Sequence, residues 1–101
     1  MTFTEMKNGQ IRLRILQLLA QAPGYQANDG ELSGMLKMCG HQVSHDLLNT
    51  QLSWMTEQGL LSENTIVGSL QVVKLTARGE DVAHGVVQVP GVQRPGPEDS
   101  I

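Results

Sequence analysis

Residues 44–76 read SHDLLNTQLSWMTEQGLLSENTIVGSLQVVKLT, and the order of signals in this stretch decides the fold. Ser44 is a helix-capping residue, because its hydroxyl can accept from the orphan amides of a first turn. Leu48, Leu52 and Met55 then recur at i, i+4 and i+7, which places them on one helical face. Gly59 stops that helix. Apolar residues from Leu60 to Val67 read as a strand, Gly68 and Ser69 as a turn, and Leu70 to Leu75 as the returning strand. Thr76 caps a further short helix running from Ala77 to about His84.

Two helices precede this stretch. In the first, Ile11, Ile15, Leu18, Leu19 and Ala22 share a face, and Pro23-Gly24 ends it. A second apolar stripe, Met6, Leu13, Leu16 and Ala20, lies on the opposite side. A helix apolar on two sides is buried on two sides. The stripe is therefore expected to be a homodimer interface, with a fold-back of the C-terminal segment as the alternative cover. Tyr25-Gln26-Ala27 reads as a short extended piece, and Asn28 or Asp29 as the next cap. Leu32, Met35, Leu36 and Cys39 form the core face of the second helix, and Gly40 closes it. Three to four helices and one β-hairpin in this order describe a mainly α chain with a small hairpin: a winged helix-turn-helix. Residues 1–85 form that domain. Residues 86–101 hold all but one of the four prolines and read as a Pro/Gly-rich tail or arm.

The bulk composition limits function. A chain of 101 residues is one domain. Its net charge is −3 and aromatic residues make up only 3%, so aliphatic side chains must build the core. Dedicated nucleic-acid binders are usually basic, because phosphate neutralisation supplies most of their affinity. The single cysteine, Cys39, rules out an intrachain disulfide and fits a reducing compartment. Arg12 and Arg14 interrupt the apolar run at residues 11–20, so no signal peptide is expected. No stretch reaches the roughly 18–20 apolar residues that span a bilayer. The expectation is a soluble, cytoplasmic protein with no membrane contact.

In a helix-turn-helix the second helix of the pair lies in the major groove. The outer face of the third helix carries Asp46, Thr50, Ser53 and Glu57, flanked by His45 and Asn49. Asn49 has the amide that pairs with adenine, and Thr50 and Ser53 can donate or accept. Ser44, His45, Asn49, Thr50 and Ser53 are thus the candidate base-facing residues on double-stranded DNA. Lys37, Lys74 and Arg78 are the candidate phosphate holders. No lysine or arginine occurs between residues 38 and 73, so the hairpin tip is bare of cations and Asp46 and Glu57 repel phosphate. A solvated polar face, or one that meets a protein partner, accounts for the same residues.

Cys39, His41 and His45 lie close in sequence, with His84 or Asp46 as a possible fourth zinc ligand, but the spacing is not diagnostic. A buried, structural Cys39 is the ordinary reading, so no metal and no cofactor are expected. The chain has no phosphate loop, nucleophile motif or paired carboxylates on one face, so no enzymatic activity is expected. Trp54, beside Leu47, is expected to pack against the hairpin or a neighbouring subunit.

Several segments together carry a family resemblance: Arg14-Ile15-Leu16-Gln17-Leu18-Leu19-Ala20, Ala22-Pro23-Gly24-Tyr25-Gln26-Ala27-Asn28, Gly40-His41-Gln42-Val43-Ser44, and Leu52-Ser53-Trp54-Met55-Thr56-Glu57-Gln58-Gly59-Leu60. Leu75-Thr76-Ala77-Arg78-Gly79-Glu80-Asp81-Val82-Ala83 and Val89-Pro90-Gly91-Val92 complete the set. With them the chain resembles the small winged-helix proteins of Mu-like phages and prophages, often labelled ArsR-like regulators. The resemblance implies a winged-helix fold, a phage or bacterial setting and a regulatory role. The cysteine-rich metal motif of ArsR-like proteins is absent from the third helix.

Overall fold

A computed structural model describes residues 2–62 and 65–97. The first helix, α1 (Phe3–Gln21), is capped by Thr2, whose hydroxyl oxygen accepts from the Glu5 amide. Ala22 ends it in extended backbone, and Pro23 cannot continue it. Gly24 and Tyr25 then take positive φ values of 67° and 58°. This left-handed turn aims the chain into β1 (Gln26–Asn28) and lets the Tyr25 carbonyl accept from the Leu75 amide at 2.8 Å.

Helix α2 (Asp29–Met38) starts on a reciprocal capping box between Asn28 and Glu31. Helix α3 (His45–Glu57) starts on Ser44, which accepts from the Leu47 amide. Strands β2 (Thr65–Val67) and β3 (Leu70–Lys74) form the hairpin, and α4 (Ala77–Ala83) starts on Thr76. The sheet has three antiparallel strands in the order β1-β3-β2, with Ala27 opposite Val73 and Ile66 opposite Gln71. The short extended piece read near Tyr25 is therefore a third strand, on the inner edge of the hairpin. Of the strand expected from Leu60 to Val67, only Thr65–Val67 joins the ladder; Leu61 makes a single bridge to Leu75. Glu63 and Asn64 lie outside the described residues.

The core is aliphatic and continuous. Ile11, Ile15 and Leu19 of α1 meet Leu32 and Leu36 of α2 and Leu48, Leu52 and Met55 of α3 in one buried cluster, which Val73 and Val82 join. Each such side chain contributes roughly 1.5–3 kcal/mol on leaving water.

Three expectations are corrected. Cys39 is exposed rather than buried: α2 ends at Met38, and as the cap residue Cys39 turns out of the stripe that the helical period assigns to it. The second stripe of α1 is covered within the chain. Leu16 is 0% and Leu13 5% exposed, Ala20 packs half-buried on the core, and only Met6, at 49%, keeps open surface. Leu13 and Leu16 therefore have no area to offer a second copy. Finally, the supposed tail is in part core. Val89 and Val92 are buried, and the Gln93 amide donates to the Gly9 carbonyl of α1 at 3.2 Å. The buried Gly9 has no Cβ, which lets the returning backbone approach this closely.

Candidate functional site

The outer face of α3 follows from its inner one. With Leu48, Leu52 and Met55 fully buried, the helical period turns Asp46, Thr50, Ser53 and Glu57 to solvent, and all four are exposed. Together with Asn49 and Trp54 they line a shallow open depression. Their hydrogen-bonding capacity is uneven. The Thr50 hydroxyl donates to the Asp46 carbonyl at 3.0 Å, so it has only acceptor capacity left. Ser44 Oγ accepts from the Leu47 amide and keeps its own hydrogen to give. Asn49 is half-buried; its Oδ1 is closed off from solvent and accepts no hydrogen bond among the described residues. His45 and Ser53 are open.

The expected phosphate holders do not come together. Lys37 is exposed in the last turn of α2, near the turn that precedes α3. Lys74 and Arg78 belong to the other end. The Arg78 side chain lies 3.8 Å from where a Cβ on Gly59 would stand, just past the end of α3, and the Lys74 carbonyl accepts from the Ser62 amide. A helix of 13 residues is about 20 Å long. Ser44 and His45, at the start of α3, thus sit about one helix length from Arg78.

Arg12 is not a surface cation. Its guanidinium lies 3.9 Å over the Trp54 ring and donates to Gln51 Oε1 at 2.6 Å and to the Gly91 carbonyl at 2.9 Å. Gln51 is itself buried and passes the network on through its Nε2 to Asn8 Oδ1 at 3.3 Å. Burial lowers the Arg12 pKa from its ordinary value. Trp54 therefore packs against α1 and the returning segment, not against the hairpin. Gly91, at φ 96°, is seated on the ring: a Cβ there would stand 2.9 Å from Trp54 Cζ2.

The turn before α3 holds a second cluster. Lys7 Nζ donates to His41 Nδ1 at 3.3 Å, and Arg14 stands near the same ring. Burial, then Lys7, then Arg14 lower the His41 pKa below its ordinary value, so the ring is neutral near pH 7. The seven-residue spacing of Lys7 and Arg14 puts them on one face of α1, but nothing local in the sequence brings His41 to that face. Cys39, His41 and His45 do not gather: among the described residues no three His, Cys, Asp or Glu side chains form a metal-binding group. Among the same residues no helix is long and apolar enough to cross a membrane.

No family model matches the chain. Over 86 residues it is 42% identical to an uncharacterized protein, gp26, of Escherichia phage Mu, which covers 85% of this chain and 88% of that protein. The chain belongs to the phage Mu gp26 family. A second gp26-family relative, an uncharacterized protein of Haemophilus influenzae (strain ATCC 51907 / DSM 11121 / KW20 / Rd), is 38% identical over 78 residues. That match covers 77% of this chain and 76% of the relative. The resemblance to proteins of Mu-like phages thus holds at the level of phage origin.

Proposed function

We propose that this gp26-family chain is a winged-helix transcriptional regulator that reads double-stranded DNA with α3. One observation carries the reading. The α2–turn–α3 unit, followed by the β2–β3 hairpin, presents an uncovered polar face holding His45, Asn49 and Ser53, ahead of a Ser44-capped helix start. Asn49, whose Oδ1 is closed off, keeps only its NH2 as a donor for a base-edge acceptor, and Ser53 offers a hydroxyl for either partner type. Thr50 acts as an acceptor only, since its hydrogen is held by Asp46. Phosphate contacts come from the turn side, where Lys37 lies; Lys74 and Arg78 are too far along α3 to share its grip. Pairing of two copies through Leu13 and Leu16 plays no part, because both side chains are covered within the chain.

A second reading has its own support. Asp46 and Glu57 flank the same depression, and no lysine or arginine occurs between residues 38 and 73. A basic patch on a phage protein would complement this face better than phosphate does.

The readings separate in one experiment. A duplex fragment from upstream of the protein's own operon is titrated at about 50 and 200 mM salt. With Lys37 as the one phosphate-holding cation on the turn side, affinity is expected to fall about three- to fourfold between these salts. Asn49→Ala with Ser53→Ala should weaken binding to the specific fragment more than to a scrambled one. No retention at micromolar protein in the lower salt removes the regulator and leaves the protein contact.

A further inference from the structure

Lys7, Gln10, Arg14 and Gln17 form one stripe along α1, spaced three, four and three residues apart. The α2–α3 turn lays His41 over this stripe, held there by its amide donating to the Leu36 carbonyl at 2.8 Å. The returning C-terminal segment closes the third side with Gln93. Gln10, Leu13, Arg14, Gln17, His41 and Gln93 line a crevice of about 210 Å³. None of these six is acidic.

The chemistry of the crevice is one-sided. Lysine ammonium only donates, so the His41 Nδ1 that it meets at 3.3 Å is the bare nitrogen, and the ring proton sits on Nε2. Arg14 makes no hydrogen bond or ion pair with any described residue. A chain of net charge −3 has thus gathered two of its seven cations at one histidine, and among the described residues no carboxylate lines the adjoining crevice. Like charges held together without a counter-ion repel one another, and an oxyanion would reverse that repulsion. Ammonium, guanidinium and imidazole N–H are also the donors that bind tetrahedral oxyanions best.

We propose that Lys7, Arg14 and His41 form a binding site for a phosphate group, free or within a nucleic-acid backbone. The site is argued from its own residues and stands apart from the DNA reading. The bound anion favours protonated His41, so binding tightens as pH falls through the titration of the ring. Among the described residues, the charged groups acting on that ring are Lys7 and Arg14 of α1; the C-terminal segment lines the crevice with the uncharged Gln93, and the turn itself brings no charge.

Sulfate is the probe for the free form, because its charge is constant across the pH range in which histidine titrates. The three histidine rings of the full chain are followed by NMR during pH titrations in sodium sulfate and in sodium chloride of matched ionic strength. Sulfate should raise the pKa of His41, while the exposed His45 and His84 serve as internal references. Arg14→Gln and Lys7→Gln should each weaken the sulfate effect about tenfold, the loss of one charge-assisted contact. A His41 that responds to sulfate and to a short DNA duplex alike supports the site and places its phosphate in the backbone. A response to sulfate with none to the duplex supports a free oxyanion and counts against DNA reading alone. If His41 moves no more than the exposed His84 in both, the crevice is not a phosphate site, even where the duplex binds.

Discussion

Gly79→Ala is expected to destabilise the fold by roughly 3 kcal/mol or more, the upper end of what overpacking a core costs. Gly79 lies in the first turn of α4, where its amide donates to the Thr76 hydroxyl oxygen at 3.0 Å. An added Cβ would fall onto the Leu60 carbonyl oxygen and stand 2.7 Å from Leu75 Cδ1. The carbonyl cannot step aside cheaply, because it also accepts from the Thr76 amide at 3.1 Å and the Thr76 hydroxyl at 3.0 Å. Moving α4 instead would expose Val82 and Ala83, which its seven residues bury against the core. Gly34, in the exposed middle of α2, is the control: a Cβ there meets nothing within 4 Å. Gly34→Ala should therefore stabilise by about 0.5–1 kcal/mol, because alanine loses less backbone freedom in a helix. Thermal melts check both. Gly79→Ala should lower the midpoint by roughly 15 °C and Gly34→Ala raise it by about 4 °C. Equal midpoints for Gly79→Ala and the parent would show that α4 does not press on Leu60 as described.

Arg12→Ala is the second large effect, expected at about 3 kcal/mol from two sources. One is the loss of the guanidinium face from Trp54. The other is Gln51 Oε1, which loses its 2.6 Å donor in a side chain only 1% exposed. Desolvation of the guanidinium offsets part of this gain in the parent, consistent with the lowered Arg12 pKa. The loss should be felt far along the chain. The same group holds the Gly91 carbonyl, and with it the segment that brings Val89 and Val92 into the core. Hydrogen exchange of the Gln93 amide, which donates to Gly9, reports that segment directly. It should lose protection in Arg12→Ala to a greater degree than amides of α2. Arg12→Lys keeps the charge but not the two-pronged donor geometry, so it should recover less than half of the stability. Unchanged protection of Gln93 in Arg12→Ala would mean that the segment docks by its valines alone.

Both predictions rest on contacts between residues far apart in sequence, and that is where sequence reading thins out. The caps at Ser44 and Thr76 were legible, and that of α2 to within Asn28 or Asp29, because capping is chemistry within three residues. The inward face of α3 was legible because the helical period alone fixes it. Its outward face follows by subtraction, so the exposed Asp46, Thr50, Ser53 and Glu57 were placed without coordinates. Periodicity failed at Cys39, since a period describes a helix only while the helix lasts, and α2 stops one residue earlier. It also failed to say what covers Leu13 and Leu16. An apolar stripe states that something must cover it and is silent on whether the cover is the same chain or another.

The candidate site divides along the same line. The candidate base-facing residues share one element, so their common face was visible in the sequence. The cations come from α1, α2, β3 and α4, and which of them share a location depends on how those elements pack. Arg78 lies beside Gly59 at the far end of α3 and Lys37 in the last turn of α2, while Lys7 and Arg14 meet His41 across the α2–α3 turn.

The sequence by itself determined the order of the helices, the caps of the later three, the hairpin turn and the inner face of α3, because these depend on neighbours within a turn or two. Only the tertiary structure decided that α1 is covered on both sides by its own chain, that Arg12 is spent on Trp54 and Gly91, and that positive charge collects at His41. Those outcomes depend on the path of the backbone between elements, and contacts across 34 to 79 residues leave no local signal in the chain.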